Sequence, residues 1–327
     1  MIKFFRQSYA IQYVVIALLA IALWIPAFAS GKVHSNLEQP VTPIFNLVNG
    51  IVDFSSFAQL LFAFFLLVFE TLIINAVLVN NQIVGKVSTM GAFVFVLMMS
   101  LTTTQTNFYP FALSSLFILL VIKNLFEAYQ HSNPEINLVK VGGFLALASM
   151  CYFPAIVLVL WVMIVLPMAK NGSLRLQFVP LFGFLFVYFV YFLGVFFFGD
   201  LKSLMQSYVD YFNSINFTVK GFNLKIIILL VVLVASSLLL MFGGSDANFE
   251  KTIAVRSKIS MTFVMLVFAV FLLFIDGNVL MNGLIFIVLS ILISYSFSYI
   301  SNTGWANLFL VFFLIAVFAN HYYFKLI

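Results

Sequence analysis

The sequence predicts an all-α, polytopic transmembrane helical bundle of about eleven spans, N-terminus cytoplasmic, forming one integral membrane domain over residues 1–327. Three observations carry this expectation. The chain is 64% hydrophobic and only 8% charged, whereas a soluble domain has roughly a quarter of its residues charged. Apolar runs approaching the roughly 20 residues of a bilayer span recur along its length. The fifteen basic residues stand singly between those runs, which suits positive-inside topology and not a nucleic-acid surface. Cys151 is the only cysteine, so no intramolecular disulfide can form.

The N-terminal run, residues 11–29, follows Lys3 and Arg6 and ends in Ala27-Phe28-Ala29, which imitates a cleavage site. Its length of about nineteen residues exceeds a usual signal core and predicts a retained first span. Further spans are expected at 57–79, 88–101, 110–126, 178–198, 224–242, 260–275, 279–296 and 306–320. The stretch 138–169 is interrupted at Tyr152-Phe153-Pro154 and reads as one kinked helix or two short ones. Charge favours two. Two crossings put Lys3, Arg6, Lys86, Lys123, Lys140, Lys170, Arg175, Lys251, Arg256 and Lys258 inside. Lys32, Lys202, Lys220, Lys225 and Lys325 then lie outside, as does the C-terminus.

Pro110 and Pro154 each follow two aromatic residues, Phe108-Tyr109 and Tyr152-Phe153, and open a descending helix. Proline costs no hydrogen bond at a first helical position, and the aromatic rings suit the headgroup level. Two external segments, about 42–53 and 200–213, have the 3.6-residue period of surface helices. In the first, Thr42 caps, Pro43 starts the helix, and Ile44, Leu47, Val48, Ile51 and Val52 share a face. In the second, Leu201, Leu204, Met205, Tyr208, Val209 and Phe212 form the apolar stripe. Lys202, Ser203, Gln206, Ser207, Asp210 and Asn213 face away from it.

Glu70 is the candidate for intramembrane chemistry. It stands inside the second expected span, and a charged carboxylate there costs several kcal/mol. Thr71 and Asn75 are near enough in sequence to help solvate it. The structural reading is a neutral acid bonded to a neighbouring helix. Glu38 and Asp53 flank the first surface helix and are the candidate catalytic acids of the first external loop. Asp200, Asp210 and Asp276 read as solvated loop acids, and the uncharged run 102–107 as a turn. His34, His131 and His321 form no helical pair, so neither a metal site nor a cofactor is expected. No phosphate-binding glycine loop or nucleophile elbow occurs.

Residues 144–165, with the break at Tyr152-Phe153-Pro154, resemble an uncharacterised polytopic inner-membrane family of Bacteroidota. The likeness runs loosely from the Asn75-containing second span to the seventh. Some relatives carry a carotenoid-oxygenase label, but such enzymes hold iron with four histidines and this chain has three. The architecture is also similar to the C-type membrane glycosyltransferases, with a first span, a long external loop bearing a surface helix, then short spans. That resemblance implies a polyprenyl-phosphate-linked sugar donor and an essential acid in the first loop, where Glu38 and Asp53 stand.

Three functions follow as expectations. One is a non-catalytic subunit or scaffold of an inner-membrane assembly, with a protein partner. The second is a glycosyltransferase-like enzyme on a lipid-linked substrate. The third is a transporter or flippase with Glu70 as its intramembrane acid. All three expect a multi-pass protein of the bacterial inner membrane, surrounded by lipid.

Overall fold

A backbone in lipid must satisfy its own polar groups, and every regular element in the described part of the computed structural model is helical. The structure describes residues 1–7, 9–31, 42–52, 55–85, 87–101, 106–130, 133–168, 174–214, 253–275, 283–300 and 303–324. The expected span at 224–242 lies outside them.

The helices are α1 (Ile2–Phe5), α2 (Ala10–Ser30), α3 (Pro43–Val52), α4 (Ser56–Asn80), α5 (Met90–Met99), α6 (Pro110–Gln130) and α7 (Glu135–Cys151). After a 3₁₀ turn, Phe153–Val157, come α8 (Leu158–Val165), α9 (Leu174–Phe198) and α10 (Leu201–Ser214). Last are α11 (Ile253–Ile275), α12 (Leu284–Tyr299), α13 (Thr303–Ala319) and a π-helical turn, Asn320–Phe324. Five of these, α2, α4, α6, α9 and α11, are long and apolar enough to cross a membrane.

The stretch around Tyr152 contains two helices, and their neighbours show that the chain doubles back. Arg175 of α9 pairs with Glu135 of α7 at 3.3 Å, and further along Tyr188 bonds Ser149 at 2.8 Å. So α7 and α9 run parallel, and α8 returns between them. Tyr152 takes the extended conformation (φ −141°, ψ 100°) that ends α7, and Pro154 stands in the first turn of the 3₁₀ helix that follows, where its missing N–H costs no hydrogen bond. Glycines let the parallel pair close up. A Cβ on Gly142 would meet the Pro180 carbonyl, and one on Gly183 the Val139 carbonyl, at 1.9 and 2.4 Å.

At the centre lies α5, with all ten residues buried. At 1.5 Å per residue it is about 15 Å long, half the thickness of a bilayer core. It packs against α4 and α12, and α12 is buried from Leu284 to Phe297. A buried helix cannot leave its terminal N–H and C=O groups to water, so other segments supply the caps. At the first end, the Ser88 hydroxyl accepts from Met90 N–H (3.2 Å) and Asn75 Oδ1 from Ala92 N–H (3.3 Å). At the other end, the His321 ring bonds the Ser100 carbonyl (2.5 Å) and Asn320 Nδ2 donates to that of Leu101 (2.9 Å).

The N-terminal segment is built into the bundle. Arg6 donates to the carbonyls of Phe297 (2.8 Å) and Ile300 (2.7 Å), closing the C-terminus of α12, and Ile2 N–H donates to Asn307 (2.8 Å). Phe5 stacks on Phe93 of α5 at 4.1 Å. This basic end also carries Lys3, Arg175, Arg256 and Lys258. The opposite, roofed end carries α3 and α10.

Candidate intramembrane polar site

The polar residues inside the bundle are held by helices whose remaining surface is apolar, so each bond joins specific neighbours. Glu70, 2% exposed, accepts a contact from Ser115 of α6 at Oε1. Ser115 Oγ also lies 2.8 Å from the Ala112 carbonyl. One hydroxyl hydrogen cannot serve both oxygens. The set is satisfied when Ser115 donates to Ala112 and a protonated Glu70 donates to Ser115. Tyr109, at the entry to α6, stands within electrostatic range of Glu70.

Asn75 does different work from the solvation expected of it. It lies on another face of α4, where Nδ2 donates to the Tyr13 hydroxyl (3.0 Å) while Oδ1 caps α5. It therefore ties α2, α4 and α5 together. Thr71 donates to the Leu67 carbonyl of its own helix (2.6 Å). Glu70 and Asn75 are thus separate fixtures. Glu38 and Asp53 lie outside the described residues. Asp200 accepts from the N–H groups of Lys202 (3.0 Å) and Ser203 (3.3 Å), an N-cap for α10. Among the described residues, no three His, Cys, Asp or Glu side chains converge as metal ligands.

The two aromatic-aromatic-proline breaks are where the surface helices dock. Phe108 stacks on Phe45 of α3 at 5.1 Å. Phe153 is surrounded by Tyr208, Tyr211 and Phe212 of α10, with ring centroids 5.5, 5.0 and 5.5 Å away. Behind these posts Phe111 meets Tyr152 edge-on at 5.5 Å. The apolar faces of α3 and α10 are divided. Ile44, Phe45 and Val48 pack on the bundle, while Leu47 and Ile51 are 70% and 69% exposed. On α10, Tyr208 packs inward, Phe212 lays one edge on Phe153 and is otherwise exposed, and Met205 and Val209 face outward. Ser207, expected on the polar face, is half-buried and bonded to the Ser203 carbonyl.

Sequence reasoning missed Lys258 as anything beyond a cytoplasmic charge. It is fully buried in α11, its Nζ 2.8 Å from Asn81 Oδ1 and 5.9 Å from the centre of the Phe126 ring. The signal available was its place only five residues into α11 with an apolar run behind it. Ser115 gave no signal, because nothing local distinguishes it from other span residues, and Tyr109 was read only as an aromatic ring at the headgroup level. No family model, no curated protein and no solved structure matches the chain.

Proposed function

We propose that this protein is a non-catalytic subunit or scaffold of a bacterial inner-membrane assembly. The observation that carries the reading is how the buried polar groups are spent. Glu70 bonds Ser115, Asn75 bonds Tyr13 and caps α5, Lys258 bonds Asn81, and Ser149 bonds Tyr188. Each joins one helix to another within the bundle, as expected of groups that hold it together. Two docked helices, α3 and α10, meanwhile present outward apolar rows. Eleven spans with the N-terminus inside is the accompanying topology, supported by Arg6, Arg175, Arg256 and Lys258 lying at one end.

Gentle extraction from the native membrane followed by intact-mass measurement tests it. A stoichiometric protein partner is expected. A lone chain carrying a polyprenyl phosphate would favour the glycosyltransferase-like alternative, which the docking of α3 within the first long loop makes the second reading. That alternative requires Asp53→Asn or Glu38→Gln to abolish function in a folded protein. The transporter reading requires a pH-dependent phenotype from Glu70→Gln.

A further inference from the structure

The aromatic posts that receive α3 and α10 stand well below the tips of the longest helices. Phe62 meets Phe108 at 5.4 Å and, further along, Glu70 meets Ser115, so α4 and α6 run parallel. α4 begins fourteen residues before Glu70 and α6 only five before Ser115, which at 1.5 Å per residue sets the tip of α4 about 13 Å beyond that of α6. The parallel pair α7 and α9 gives nearly the same step. α7 ends two residues past Ser149 and α9 ten past Tyr188, a difference of about 12 Å. α2 keeps level with α4, since Trp24 meets Phe64 and Phe28 meets Phe57, at 5.6 and 5.8 Å. The roofed end is therefore stepped, with α2, α4 and α9 as a high rim and the ends of α6 and α7 as a low floor. From the tip of α9, α10 turns back to that floor. Its Tyr208 lies beside Phe192, about 9 Å down α9, and beside Phe153.

Around its circumference α10 has three sectors. Tyr208 and Tyr211 face the bundle through Phe153, with half-buried Leu201 and Leu204 on the same side. Lys202, Gln206 and Asp210 make an exposed polar edge, where Gln206 donates to Asp210 at 3.0 Å. Met205, Val209 and Phe212 make an apolar edge, 47%, 51% and 57% exposed. Protein takes the first sector and water the second. We propose that the third rests on acyl chains of the outer leaflet, and that α10 thereby holds headgroups and water down inside the rim, thinning the bilayer beside it. Continuity selects lipid as the occupant. α10 follows directly on α9, which is long and apolar enough to cross a membrane and leaves Phe189, Phe196 and Phe197 exposed. Depth requires the thinning. The charges of Lys202 and Asp210 need water, yet their helix runs below the lipid-facing tip of α9. A charged edge beside an apolar one is the pattern of a helix lying in such a boundary. The inference holds whichever function the bundle serves.

Nitroxide labels on the full chain in phospholipid nanodiscs test this, through collisions with oxygen, which concentrates in lipid, and with a nickel chelate, which stays in water. Buried Cys151 is changed to Ala in every sample; if that background melts early it stays as cysteine, its burial keeping it from the label. The label at Val209→Cys should favour oxygen over nickel several-fold more than the label at Gln206→Cys. The label at Phe196→Cys, nearer the tip of α9, should favour oxygen as well. A Val209 label as open to nickel as that at Gln206 puts the apolar edge in water and overturns the proposal. A Val209 label closed to both reagents puts protein over that edge, a second copy or another part of the chain, and overturns it equally. A Phe196 label as open to nickel as that at Gln206 places the rim outside the bilayer and overturns the thinning. Met205→Cys lies on the same edge and replaces Val209→Cys, with the same expectation, if that variant melts early.

Discussion

At Ser115 a single hydroxyl hydrogen stands between two oxygens, and that arithmetic makes a prediction about Glu70. Glu70→Gln keeps an N–H to donate to Ser115, so the variant should retain nearly full thermal stability in detergent. Ser115→Ala leaves a buried carboxyl without its partner and should cost about 1–3 kcal/mol. A Gln variant as unstable as the Ala variant would mean that Glu70 is held as a carboxylate. Lys258 gives a second test. Replacing a buried ion with an apolar isostere is often neutral, whereas removing its partner strands the charge. Lys258→Met should therefore leave the melting temperature close to wild type, while Asn81→Leu removes the neutral oxygen that solvates the ammonium and lowers stability by about 1.5–3 kcal/mol. The double variant should recover most of that loss, and additive losses would argue against a stranded charge. Glu70 was legible in the sequence because one acid in an apolar run is conspicuous. Its partner was not, since Ser115 meets it across 45 residues.

Between elements, α7 and α9 approach each other closely at two glycines. Gly142→Ala and Gly183→Ala each drive a methyl group into a facing backbone carbonyl, at 1.9 and 2.4 Å. Each should destabilise the protein by about 1–3 kcal/mol or more. Gly143→Ala, whose nearest contact would be the Val187 side chain at 3.8 Å, should be tolerated. Thermal unfolding of the three variants reads this directly, and a Gly143 variant as poor as its neighbour would show that the loss does not come from the close approach of Gly142 to Pro180, since alanine itself favours helix over glycine. Both surface helices were legible from the 3.6-residue period of Pro43–Val52 and Leu201–Ser214. How their apolar faces divide was not, because Leu47 and Val48 look alike in sequence and separate only when Phe45 finds Phe108. The break at Tyr152-Phe153-Pro154 was readable as a reversal from charge. The parallel pairing that reversal creates depends on glycines, which the apolar pattern does not register.

Across the whole molecule, the expected membrane class follows from composition and is matched by five helices of spanning length and apolarity. The order of burial was hidden. The expected span 88–101 resembled its neighbours in apolarity, yet it contains the one described helix whose every residue is buried. A helix insulated from lipid this way depends on distant caps. His321→Ala with Asn320→Ala should uncap two carbonyls and cost about 2–6 kcal/mol, taken as two buried groups left unpaired. Unfolding that matches wild type would show that those carbonyls find other donors. The caps also impose a schedule on synthesis. The ribosome makes His321 221 residues after Ser100, so the hub of the bundle enters the membrane with one end unfinished. At roughly 5–20 residues per second, that interval lasts on the order of 10–40 s. During it the nascent chain must shelter the open carbonyls, through an insertase or provisional neighbours. A stalled or truncated product should therefore be read by quality control as an unassembled core, even with its earlier helices already inserted.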